Sequence, residues 1–120
     1  FSLPPSPTGR RPVQIIGEQS HLNGVYRYAR EHNAHVLYEH ERDENKQLSF
    51  VYGEDRGDAG CGGWEIGEPG YRALAEIRDD ADRPHLLPAR WKVWNGQIEV
   101  ARGLYGDWER DWSVKCVLVG

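Results

Sequence analysis

At 120 residues, with 38% hydrophobic residues and 11% aromatic, the chain is sized for one domain whose core is largely aromatic. A net charge of -4 leaves no electrostatic footprint for nucleic acid. No apolar run approaches the roughly 18 residues of a membrane span, so membrane insertion is not expected either.

Residues 1–12 (FSLPPSPTGRRP) hold four of the seven prolines and are expected to form an extended arm, with Arg10 and Arg11 as anchors for a partner. The remaining residues, 13–120, are expected to form a single β domain. The chain contains no Met, so Phe1 is not a translational start, and a removed presequence is expected.

Residues 13–17 read as a short apolar strand, and Asn23-Gly24 as a tight turn or a strand entry. Residues 24–29 alternate with Tyr26 and Tyr28 on one side, and 35–41 alternate with Val36, Tyr38 and His40 on one side. Tyr28 and Tyr38 share a face only if the connection has an odd residue count, which a three-residue loop at His32, Asn33 and Ala34 would supply. Residues 42–46 read as a charged turn. Leu48, Phe50 and Tyr52 mark the next strand, 53–63 a loop with five glycines, and Trp64 and Ile66 another strand.

Residues 71–81 have helical composition, but the surrounding meander favours a strand. Residues 79–88 read as a turn region. Residues 90–102 (RWKVWNGQIEVAR) then read as a hairpin on an Asn95-Gly96 type I′ turn. That register sets Trp94 opposite Gln97, Val93 opposite Ile98, Lys92 opposite Glu99 and Trp91 opposite Val100. Residues 103–110 follow as a turn that carries Trp108. Trp112, Val114, Cys116 and Leu118 form the last alternating strand, with Trp64, Trp91 and Trp112 expected in the core. Short strands with regular turn signals predict an all-β fold, a small antiparallel barrel or sandwich built from hairpins.

The series Gly17, Leu22-Asn23-Gly24-Val25-Tyr26, Asn33, Val36-Leu37-Tyr38, 48–52, Gly63-Trp64-Glu65-Ile66-Gly67, Ala75, Pro84 and Trp91 resembles an uncharacterised β module that recurs, singly and in tandem, in proteins of algal protists. The resemblance covers most of 13–91. It departs at Asn33-Ala34, where that module often has Asn-Gly, and in the long loop 53–63. It implies an all-β fold and no known catalytic residues. By analogy it points to a non-catalytic structural subunit of a large organellar complex, specifically a peripheral subunit of a photosystem–light-harvesting supercomplex associated with the thylakoid in a plastid.

Sites for chemistry are sparse. Of the five histidines, His35 and His40 fall on opposite faces of one strand and cannot chelate one ion from it. Glu54, Asp55 and Asp58 do not match a calcium loop, and Asp79, Asp80 and Asp82 lie among arginines in a turn. Cys61 and Cys116 are read as two thiols rather than a disulfide. No hydrolase, zincin, P-loop or dinucleotide signature is present in the sequence, and neither an enzyme nor a cofactor is expected. The residues expected to bind partner proteins are Trp94, Trp108, Tyr105, Lys92, Arg10 and Arg11, with the two indoles as anchors unless they fold back onto the domain. The alternative is a carbohydrate-binding module, which requires Trp94 and Trp108 coplanar in one groove with Asp107 or Asn95 nearby.

Overall fold

Alternation along successive strands gives each strand one apolar side, and antiparallel pairing brings those sides onto a common face. The computed structural model describes residues 11–52, 62–68, 73–94 and 108–119. They form β1 (Val13–Ile16), β2 (Gly24–His32), β3 (His35–His40), β4 (Asp43–Val51), β5 (Gly63–Gly67), β6 (Ala73–Ile77), a 3-10 helix (Pro84–Leu86), β7 (Trp91–Trp94), β8 (Trp108–Asp111) and β9 (Lys115–Leu118). All pairings are antiparallel, in the order β8-β7-β6-β5-β4-β3-β2-β1-β9.

The chain therefore meanders to β8 and then returns to add β9 outside β1. β8 and β9 hold the two ends of the sheet, yet the four steps from Asp111 to Lys115 reach no more than about 14 Å. The sheet must curl until its ends face each other. Strand twist, roughly 20° per neighbour, supplies the curl, and the result is a half-barrel.

The concave face holds the core. Val13, Ile15, Tyr26, Tyr38, Leu48, Phe50, Trp64, Ile66, Ala75, Ile77, Trp91, Val93 and Cys116 come from eight strands, and Leu22 and Val114 close it from connections. Residues 71–81 were ambiguous by composition. Ala73–Ile77 is a strand, with Ala75 and Ile77 buried against Ile66 and Trp64. Two large polar groups in the core find carbonyls: Trp64 Nε1 donates to Ala81 at 2.8 Å and the Tyr26 hydroxyl to Leu22 at 2.7 Å. Burial also pushes the Tyr38 phenol up to about 12. Cys116 is a buried free thiol, while Cys61 lies outside the described residues.

Several local expectations give way to tertiary ones. The β2–β3 connection has two residues, not three: His32 pairs His35, and Asn33 (φ 54°) and Ala34 (φ 60°) form the turn. Tyr28 still pairs Tyr38, because a bulge between Tyr28 and Arg30 adds the odd residue within the strand instead of the loop. The charged segment at 42–46 is mostly strand, since β4 begins at Asp43. Arg11 and Pro12, assigned to the arm, are tied to the sheet: the Arg11 guanidinium donates to the Val119 carbonyl at 3.0 Å, and the Val119 N–H to Pro12 at 3.0 Å.

The largest correction concerns the 90–102 hairpin. Val93 pairs Ala75 on one side and Glu109 on the other, and Lys92 pairs Glu76 and Arg110. Both flanks of β7 are occupied at these residues by β6 and β8, while Ile98 and Glu99 lie outside the described residues. The partner strand comes from 108–111, and 95–107 lies outside the described residues. Trp108 correspondingly opens a strand rather than sitting in a turn. Trp91 and Val93 are buried as the alternation required. Trp112 is not core: it lies in the turn between β8 and β9, 67% exposed.

Two substitutions test this local geometry. Ala34 pays the left-handed penalty of an L-residue, so Ala34→Gly should stabilise the domain by about 1 kcal/mol in urea denaturation, after allowance for the looser unfolded chain. Gly24 has φ +139°, and a Cβ there would collide with His40 Nε2, which donates a 2.9 Å hydrogen bond to the Asn23 carbonyl and whose ring packs edge-on against Tyr26. Gly24→Ala should cost about 2 kcal/mol or more, and adding His40→Ala should recover the steric part alone.

Candidate docking site at the open seam

Among the described residues the half-barrel stays open between β8 and β9, and a cleft lies there. It encloses about 660 Å³ between β8 and the connection from β1 to β2. Val93, Trp94, Glu109, Arg110, Asp111, Trp112 and Ser113 line one side, and Glu18, Gln19 and His21 the other.

Asp111 latches this region. Its Oδ1 accepts the Ser113 N–H at 2.9 Å and the Ser113 hydroxyl at 2.5 Å, and its Oδ2 accepts Gln19 Nε2 at 3.1 Å. Ser113 Oγ in turn accepts the Glu18 N–H at 2.9 Å. The end of β8, the turn into β9 and the β1–β2 connection are thus joined through one carboxylate. These bonds favour the charged form, the Ser113 hydroxyl most, and hold the Asp111 carboxyl below its ordinary value despite some opposing burial. The same depression makes Asp111 a poor proton acceptor for Ser113.

Burial shifts two further groups. Burial and then the Lys46 charge lower the His21 imidazole. Burial pushes the Cys116 thiol up to about 12, far from thiolate formation. Among the described residues no group of three or more His, Cys, Asp or Glu is placed to hold a metal ion. His35 stacks on Phe50 with centroids 3.8 Å apart while His40 packs on Tyr26, so the two serve different ends of the core.

The sequence-predicted site residues separate. Trp94 pairs Trp108 across β7 and β8, and their rings meet edge-on, 5.5 Å apart at 62°. That is a packed pair, not the coplanar platform a sugar groove requires. Trp94 lines the cleft, and its buried Nε1 has no hydrogen-bond partner. Lys92 stands exposed on the outer face between Glu76 and Arg110. Arg11 is bound to the Val119 carbonyl, and Arg10 and Tyr105 lie outside the described residues.

The residue that sequence reasoning missed is Trp112. Its ring carries the Arg110 guanidinium at 5.2 Å and is otherwise open to solvent. A signal was present in the sequence: Asp111-Trp112-Ser113 has the Asp and Ser spacing of a side-chain-capped turn, which ends a strand and throws the intervening side chain outward. The exposed large hydrophobics among the described residues are Ile16, Tyr52, Leu86 and Trp112. Three of them flank β9: Ile16 on neighbouring β1, Trp112 in the turn leading in, and Leu86 on the 3-10 helix packed against it.

No protein-family model, curated protein or solved structure matched the chain.

The latch predicts a pH dependence. A carboxyl depressed in the fold stabilises it fully above the unfolded value of 3.8, and the contribution fades as pH falls through the lower folded value. Wild type should exceed Asp111→Asn in urea midpoint at neutral pH, and the gap should narrow only below about 3.8. A gap that is flat throughout that acid range would show that the charge on Asp111 contributes nothing.

Proposed function

We propose that this domain is a non-catalytic assembly module that docks on partner proteins through the open seam of its sheet. The observation that carries this reading is Trp112, 67% exposed at the mouth of the cleft, with Ile16 at 44% and Leu86 at 63% on the segments around β9. Large apolar side chains left exposed on segments around an end strand are what a partner surface covers. The depressed Asp111 carboxyl and the buried Cys116 thiol favour binding over catalysis.

The algal β-module resemblance gives the assembly a specific identity within this proposal: a photosystem–light-harvesting supercomplex, with the domain bound peripherally on the thylakoid of a plastid through neighbouring protein subunits. The sugar-binding alternative loses its main support in the edge-on Trp94–Trp108 pair.

Mild native extraction from the source, followed by mass spectrometry of co-migrating chains, tests the proposal. Recovery within a large pigment–protein assembly is the expected result, with cross-links to Trp112-side residues such as Lys115. Migration free of any partner would overturn it.

A further inference from the structure

We infer that the outer face of β6, β7 and β8 carries a docking groove for an acidic segment of the partner protein. This inference rests on the assembly reading and names the chemistry of what the partner brings. A groove of about 220 Å³ lies on that face, lined by Glu76, Ile77, Arg78, Arg90, Lys92 and Arg110. Four cations and one acid meet there, on a chain whose net charge is -4.

Register explains how the cations gather. Glu76 pairs Lys92 and Lys92 pairs Arg110, so the three form one row across the strands. Ala75 and Ile77 flank Glu76, and Trp91 and Val93 flank Lys92. All four are buried on the concave face, which sends the row outward. Lys92 and Arg110 therefore stand side by side on adjacent strands, where like charges repel.

Some of this charge is already answered. Arg90 Nη2 meets Asp79 Oδ2 at 3.2 Å, and Glu76 and Arg78 have partners of their own. The unanswered part sits on Lys92 and Arg110. Lys92 is exposed and forms no ion pair with a described residue. Arg110 Nη1 donates to the Arg90 carbonyl at 2.9 Å, and its guanidinium lies 5.2 Å from the centre of the Trp112 ring. Both of these partners are neutral. They hold the guanidinium in place and leave its charge for an anion.

Arg110 also connects the groove to the proposed interface. The same side chain lines the seam cleft, so the basic face is continuous with the surface around Trp112. A protein that covers Trp112 and runs carboxylates past Arg110 to Lys92 relieves the repulsion between them. A short acidic segment fits better than a polyanion such as nucleic acid. The attraction is confined to about one Debye length, roughly 10 Å, while the chain as a whole is acidic.

Two synthetic peptides added to the full chain test this, one with a run of Asp and Glu and one with Asn and Gln at the same positions. Amide chemical shifts of 76–78, 90–92 and 110 should move with the acidic peptide alone, and its binding should weaken as salt rises. Lys92→Glu should weaken that binding about 10-fold or more. Arg42→Glu makes the same charge change at an exposed residue between β3 and β4 and should have little effect. Equal binding of the two peptides, or equal loss in the two variants, overturns the inference. In the native complex, carbodiimide coupling should join Lys92 to an Asp or Glu of the partner. A partner held by cross-links around Trp112 while Lys92 stays uncoupled would retain the assembly reading and overturn this one. Coupling of Lys92 to Asp43 or Glu44 of a second copy would assign the groove to self-association and overturn it too.

Discussion

Among the described residues a single sheet with one apolar face has no second layer against which to bury it. That constraint shapes the whole domain. Trp64, Trp91, Tyr26 and Tyr38 are fully buried because nine strands curl around them, each turned from its neighbour by its own twist. Aromatic side chains suit this arrangement, since a few large rings fill the width of a narrow half-barrel that smaller residues would leave void. Two of its buried polar atoms find partners, where Trp64 and Tyr26 reach the carbonyls of Ala81 and Leu22, while the Tyr38 hydroxyl and Trp91 Nε1 have none.

Curling brings the ends of the sheet together but does not pair them. Closure would remove both edges. Here β9 is committed to β1, where all four of its residues pair, and Asp111 with Ser113 turns the chain between the two ends. The seam is thus a consequence of chain order: the last strand adds to the first, and the eighth is left beside a cleft. The position of Trp112 follows, because a residue inside that turn has neither a sheet face nor the core to cover it.

The two end strands of the described sheet differ in kind. β9 runs Lys-Cys-Val-Leu, apolar apart from Lys115, and is flanked by exposed Ile16, Leu86 and Trp112. β8 runs Trp-Glu-Arg-Asp, with charge alternating between faces.

Sequence by itself determined the strands of the meander from β1 to β5 and the burial of Trp64, Trp91 and Val93. Each of these rests on alternation over a few residues, which local pleating enforces, whereas the strand at 73–77 followed only from the surrounding meander. Asn23-Gly24 was legible as a strand entry because only glycine reaches φ +139°. What only the tertiary structure decided were the pairings between segments distant in sequence. The Asn95-Gly96 signal gives a local register for 90–102, yet β7 takes β6 and β8 as neighbours, because the sheet must continue outward to bury Trp91 and Val93 on one face. The bulge after Tyr28 and the exposure of Trp112 have the same origin: side-chain facing depends on where a strand is interrupted, and the interruption is set by what lies across from it. The seam was illegible for that reason. Its residues, from 18–21, 93–94 and 109–113, meet only after the sheet has curled.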